Sequence, residues 1–171
     1  RIEPIQQDIR PDCLLVYGDT NSTVAAALAA AKLGLRTAHV EAGLRSWNRH
    51  MPEEINHALT NHATDLLRAP TELAMSSLRT EGLDPRAEPV GDVMADLLMH
   101  CREDLDPEMI RDELRLVGHY VVATPHRAAN TDDREQLGRL IKALAELELP
   151  VMLVAHPRLL AAARRWSISL S

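Results

Sequence analysis

Short apolar runs alternate with longer runs of helical period along most of the chain. "CLLVYG" (Cys13 to Gly18) reads as a buried strand, its apolar positions being contiguous rather than alternating. "STVAAALAAAKLG" (Ser22 to Gly34) reads as an Ala-rich helix closed by glycine. "RTAHVEA" is a second strand, "EEINHALTNHAT" a helix and "DLLRAP" a third strand. "TELAMSSLRTEG" is a helix with Thr71 as N-cap and Gly82 as its stop. The short strand "AEPVG" leads into the helix "DVMADLLMHCRED". An acidic, Pro-containing stretch around Asp104 to Pro107 and a helix through about Val117 follow. A new β–α–β unit then runs through strand "YVVATP", helix "DDREQLGRLIKALAEL" and strand "VMLVAHP". Such alternation predicts α/β architecture, with parallel sheets covered by helices.

A domain boundary is expected at the acidic stretch, giving segments 1–103 and 104–171. Both are short of strands for a doubly wound domain. The tail "RRWSISLS" also leaves its helical pattern without a recognisable cap. These features lead us to expect a partial chain.

Composition narrows the chemistry. The 171 residues carry a net charge of -6, which disfavours a nucleic-acid partner. They contain no Phe and only four Trp or Tyr, so the core must be built from Leu, Val, Ala and Met. Cys13 and Cys101 lie apart, make no metal-ligand spacing, and are expected in apolar surroundings. "RIEPIQQDIRPD" has no apolar signal-peptide core, and no run suits a membrane span, so a cytoplasmic location is expected. Gly-rich phosphate fingerprints, H-E-x-x-H and G-x-S-x-G are absent from the sequence.

Four polar clusters sit where strands should give way to loops, the usual ligand-binding ends of open α/β sheets. "YGDTNST" offers Asp19 beside a helix start that Thr20, Asn21 or Ser22 can cap. "HVEAGLRS" offers Glu41 and Arg45, as a functional carboxylate and cation or as a structural ion pair. "MPEEINH" places Glu53 and Glu54 in a helix's first turn, where either can simply complement the dipole. "ATPHRAANTDDRE" offers His126 and Arg127, with Asn130, Thr131 or Asp132 as helix caps. "AHPR" repeats the arrangement with His156 and Arg158. Together the clusters suggest acid/base work at a carbon next to an anionic group held by cations.

The ordered set "GDTNST", "HVEAGLRS", "MPEEIN", "APTE", "VGDVMAD", "TPHRAAN" and "HPR" resembles the non-hydrolysing UDP-N-acetylglucosamine 2-epimerases, from about Pro11 to about Arg165. The resemblance implies two Rossmann-like domains in a GT-B arrangement, both incomplete here. It implies inversion at C2 of UDP-GlcNAc to UDP-ManNAc, through elimination of UDP to a 2-acetamidoglucal and its re-addition, supplying surface-polysaccharide precursors. No metal or other cofactor is implied, and a homodimer is expected of the full-length protein. By motif, Asp19, Glu41, Glu53 and His126 would be catalytic, with the choice of C2 base among the carboxylates left open. Arg45, Arg127, His156 and Arg158 would bind the UDP-sugar. An epimerase acting on UDP-2,3-diacetamido-glucuronate shares these motifs, and an inactive truncated remnant is the non-enzymatic alternative. His57 and Ala129 depart from the family's "PEEINR" and "HRAEN" forms, and the "GTRPE" and "SGG…EE" segments lie outside this sequence.

Overall fold

The computed structural model describes residues 2–102 and 104–170. Residue 103, where the expected boundary and the end of the helix read over 92–104 fall, lies outside them. The chain forms two compact units, Arg1–Asp104 and Leu105–Ser171.

In the first unit the elements are α1 (Ile2–Ile9), β1 (Leu14–Tyr17), α2 (Asn21–Lys32), β2 (Thr37–Val40), α3 (Pro52–Ala63), β3 (Leu66–Ala69), α4 (Glu72–Thr80), β4 (Ala87–Pro89) and α5 (Val93–Arg102). The four strands form a parallel sheet in the order β1-β2-β3-β4, with Leu14 opposite Thr37, Ala38 opposite Leu66 and Leu67 opposite Ala87. Ala42, Leu67, Ala69, Ala74, Met75, Leu78 and Leu83 make its apolar core, which contains no aromatic side chain. Thr20 and Thr71 cap α2 and α4 by accepting the amide hydrogens of Thr23 and Ala74, at 3.3 and 3.1 Å.

The second unit contains α6 (Pro107–Glu113), β5 (Val121–Ala123), α7 (Ala128–Thr131), α8 (Arg134–Ala145), β6 (Val151–Leu153) and α9 (Pro157–Trp166). Strands β5 and β6 pair in parallel, Val121 opposite Val151. Leu137, Leu159 and Ala162 form its core, with Leu153, Trp166, Ile168 and Leu170 packed against them. Among the described residues no helix is long and apolar enough to cross a membrane.

Several expectations need correction. The strand at Cys13–Gly18 is not buried: β1 lies at a sheet edge, and Leu15 and Tyr17 are 48% and 59% exposed around buried Val16. Cys13, just before it, is exposed, and Cys101 is half-buried on α5. The segment before Pro11, to which the sequence pattern assigned no element, folds as α1, docked through buried Gln6, whose Nε2 donates to the Ala26 carbonyl at 3.0 Å. Helix α6 stops at Glu113, short of Val117, where Arg115 takes a left-handed φ of 54°. The tail is capped after all. Ser167 turns left-handed at φ 54°, and the Ile168 amide returns to the Ala163 carbonyl at 3.0 Å. Asp133, rather than Asn130, Thr131 or Asp132, caps α8, accepting from the Gln136 amide at 2.7 Å.

Candidate active site

Strands β1 and β2 end side by side, and their backbones leave the sheet in conformations that side chains rarely adopt. Gly18 has φ 62°, Glu41 φ 73° and Gly43 φ 81°. The two glycines meet real constraints. A methyl on Gly43 would lie 2.5 Å from the Ala74 carbonyl, and one on Gly18 would press on the Glu41 carboxylate at 3.2 Å. Glu41 has no such excuse. A non-glycine residue held left-handed at a strand end stores strain, which folds tolerate mainly at working sites.

These turns and the start of α3 enclose a cavity of about 460 Å³, lined by Asp19, Glu41 and Glu53 with Arg45, Trp47 and His57. All four carboxylates predicted in these clusters, Glu54 included, therefore line one space. Burial pushes the Glu41 carboxyl up from its ordinary range, and the negative charges of Asp19 and Asp92 push the same way. Glu41 is thus biased toward carrying a proton.

Glu53 and Glu54, indistinguishable by sequence, have parted roles. Glu53 is exposed to the cavity, whereas Glu54 is buried against Arg45. Arg45 Nε and Nη2 donate to Glu54 Oε1 at 2.8 and 2.5 Å, and the Ser46 amide and hydroxyl donate to Oε2 at 2.8 and 3.0 Å. Burial alone would raise the Glu54 pKa, but these donors outweigh it and hold the carboxyl at about 2. Arg45 also pairs with Glu81 at the end of α4, and its guanidinium lies 4.3 Å from the Trp47 ring centre. The structural pair that the sequence suggested between Glu41 and Arg45 is therefore replaced: Arg45 serves Glu54 and Glu81, and Glu41 stays in the cavity. The partner Glu81 is 36 residues away, beyond any local pattern.

Two buried side chains hold the Gly18–Asp19 turn from below. His39 Nε2 lies 2.9 Å from the Gly18 carbonyl, an acceptor only, so that nitrogen carries the hydrogen. Its Nδ1 is 2.8 Å from Asn61 Oδ1, so with the hydrogen on Nε2 the Asn61 amide must be turned to present its N–H there, which also gives the otherwise unpaired Nδ2 an acceptor. Asn56 Nδ2 donates to the Asp19 carbonyl at 2.8 Å and to Asn21 Oδ1 at 3.0 Å. Burial holds both His39 and His57 below the usual imidazole range.

In the second unit, His126 and His156 stack with ring centres 4.9 Å apart. The His126 Nδ1 donates to the Thr124 carbonyl at 2.9 Å, which leaves Nε2 as the nitrogen open to a ligand. His156 caps α9, its Nδ1 accepting from the Arg158 amide at 3.1 Å. Arg158, expected to bind substrate, is engaged by Asp132 at 2.7 Å and by the Thr131 hydroxyl at 2.9 Å. Arg127 is exposed just before α7. Among the described residues no group of three His, Cys, Asp or Glu side chains is placed to hold a metal ion.

Residues 1–167 match the family described as UDP-N-acetylglucosamine 2-epimerase. Over 161 residues the chain is 47% identical to a UDP-N-acetylglucosamine 2-epimerase homolog of Methanococcus maripaludis, covering 92% of this chain and 45% of that one. It is 44% identical to the UDP-2,3-diacetamido-2,3-dideoxy-D-glucuronate 2-epimerase of Pseudomonas aeruginosa, with the same coverage. A crystal structure of the Methanocaldococcus jannaschii UDP-GlcNAc 2-epimerase, in complex with UDP-GlcNAc and UDP, superposes with a TM-score of 0.89 at 34% identity, covering 98% of this chain and 48% of that one. The chain thus spans about half the length of the relatives it matches.

Proposed function

We propose, because this chain belongs to the UDP-N-acetylglucosamine 2-epimerase family, that the full-length gene product interconverts UDP-GlcNAc and UDP-ManNAc. The observation that carries the reading is the cavity in which strained Glu41, its carboxyl pushed up, stands with Asp19 and Glu53. Inversion at C2 needs one group to take the C2 proton and another to return a proton on the opposite face. Carboxyls whose environments differ suit that division of labour. As the C2–H bond breaks, its electrons form the C1–C2 double bond and UDP departs from C1. Re-addition of UDP to the glycal, with protonation of C2 from the other face, completes the inversion. His126 and Arg127 would meet the departing diphosphate in this reading, with Arg127 supplying fixed positive charge. His156 and Arg158 belong to the same binding set, although Arg158 must share its charge with Asp132.

A second reading has its own support. The 44% identity to the diacetamido-glucuronate epimerase approaches the highest value reported above, so that UDP-sugar is the alternative substrate. A cytoplasmic setting, a homodimer and a role in surface-polysaccharide supply go with the main proposal.

The deciding experiment incubates the full-length protein with each UDP-sugar and follows the C2 epimer by NMR in deuterated water. UDP-ManNAc formation with deuterium at C2, abolished by Asp19→Asn or His126→Ala, is the expected result. Turnover of the diacetamido-uronate alone would move the assignment to the second reading. No turnover of either would overturn both.

A further inference from the structure

His57 is nine-tenths buried on α3, lines the cavity, and turns Nε2 toward Asp19 Oδ2 at 3.7 Å. Its other nitrogen, Nδ1, is buried without a hydrogen-bond partner. A hydrogen on Nδ1 would be a buried donor with nothing to receive it, while the Nε2 lone pair would face a carboxylate. The opposite tautomer puts N–H toward the negative charge and leaves only a lone pair unpaired. Neutral His57 therefore carries its hydrogen on Nε2. At 3.7 Å the interaction with Asp19 is electrostatic rather than a direct hydrogen bond.

We propose that His57 is a positioning residue for Asp19: its Nε2–H aims the carboxylate into the cavity, and its protonation sets the charge of the three-carboxylate site. The idea rests on the function proposed above. The Asp19 backbone is already clamped, with the Gly18 carbonyl held by His39 and its own carbonyl by Asn56. What those contacts leave undetermined is the direction of the partly exposed carboxylate, and His57 is the group that faces it.

The charges around His57 come from every side. Asp19 lies across from it at the end of β1, and the His39 ring on β2 is centred 5.6 Å away. Arg45 and Glu41 contribute from the loop after β2, Glu53 and Glu54 from its own helix. Burial and then the neighbouring His39 disfavour imidazolium, Asp19 and Glu54 favour it, and Arg45 opposes it. The balance keeps the ring neutral near pH 7, so the cavity holds its carboxylates without a fixed counter-cation from this position. Acidification adds one positive charge beside Asp19.

The test has two parts, which fail separately. Long-range ¹H–¹⁵N NMR on this chain reads the tautomer directly: Nε2-protonated His57 is expected, and Asp19→Asn should move its titration midpoint downward. The Nδ1–H tautomer, or a midpoint indifferent to Asp19, would overturn the proposal whether or not the protein epimerises anything. In the full-length enzyme, His57→Leu should lower kcat by about 10²-fold with little change in KM, the loss expected from a misplaced catalytic group. His57→Gln, which keeps an N–H donor but cannot ionise, should recover most of that rate and lose the acid-side change in kcat. An undiminished kcat in folded His57→Leu, or a His57→Gln as slow as His57→Leu, would overturn the positioning role. An acid limb that persists unchanged in His57→Gln would overturn the charge-setting role.

Discussion

Both units build an arginine–carboxylate pair beside a strand end, yet the two pairs are physically different objects. In the first unit Arg45 and Glu54 keep only 10% and 4% of their side chains exposed, and Ser46 and Glu81 complete the network. In the second, Arg158 and Asp132 are 46% and 62% exposed. Water screens the second pair and is excluded from the first. Charge in the first unit is therefore structural material that shapes the cavity, whereas charge in the second remains available to an incoming anion. The same contrast explains why Glu53, next to Glu54, is left free. One carboxylate anchors the loop after β2, and its neighbour faces the cavity that loop closes.

The largest expected effect comes from breaking the buried pair. Glu54→Gln keeps the shape but leaves Arg45 with Glu81 alone and removes an acceptor from Ser46. Removing one partner of a buried pair costs about 3–5 kcal/mol, and we expect the lower end because Glu81 remains. Each unit carries one tryptophan, Trp47 and Trp166, so urea unfolding followed by fluorescence of single-tryptophan variants separates the two. The Trp47 transition should shift to lower urea, and the Trp166 transition should stay in place. Equal shifts in both would mean that the two units unfold as one.

Acid should divide the units in the same sense, by a smaller amount. His39 and His57 are held below their unfolded value of 6.5 by burial, so their native state binds fewer protons than the unfolded chain. Their contribution is present above about pH 6.5 and is lost as pH falls through their folded pKa values. Glu54 adds a lower window, its contribution complete above 4.5 and lost as pH falls toward about 2. Glu41 opposes these trends: its raised pKa favours the folded state in acid, an advantage lost as pH rises through the folded value. Between pH 7 and pH 5 the two histidines act against Glu41 alone, Glu54 entering only below 4.5, so the Trp47 transition should weaken over that interval, and His57→Gln should flatten part of the fall. A transition that strengthened over that interval would reverse the assignment of both histidines as neutral in the folded protein.

Much of this was legible in the chain because parallel strands and their helices write strong local patterns. A contiguous apolar run marked β1, short segments between helical patterns marked β2 and β3, and Thr20 and Thr71 announced their helices through short-range side-chain chemistry. The conservative-looking failures have a common cause, dependence on distant partners. Helix α1 is short, and although Ile2, Ile5 and Ile9 fall at helical spacing, Ile5 and Ile9 stay exposed and the anchor is the polar Gln6 reaching Ala26, which hydrophobic periodicity does not reveal. The end of α9 uses Ser167 where glycine would have been recognised, the left-handed turn being secured by Ile168 and Leu170 on the core. Within the site, the grouping of Asp19, Glu41 and Glu53 followed from strand-end position. The division between Glu53 and Glu54 depended on Arg45, whose second partner Glu81 is 36 residues on.

The smallest expected effect tests the exposed side of the contrast. Asp132 is held below the ordinary carboxylate range chiefly by its hydrogen bond from Arg158, but its exposure means that salt and water can substitute for that partner. Asp132→Asn should therefore leave the Trp166 transition within experimental error, and raising the salt concentration should mimic it. The consequence should appear in binding instead. Freed from Asp132, Arg158 presents more of its positive charge, so the full-length protein should bind UDP slightly more tightly at low salt, with the gain disappearing as salt rises. Isothermal titration of UDP at two ionic strengths measures this. A marked loss of stability in Asp132→Asn would show the exposed pair to be structural, and weaker UDP binding would show that Asp132 orients Arg158 rather than competing for it.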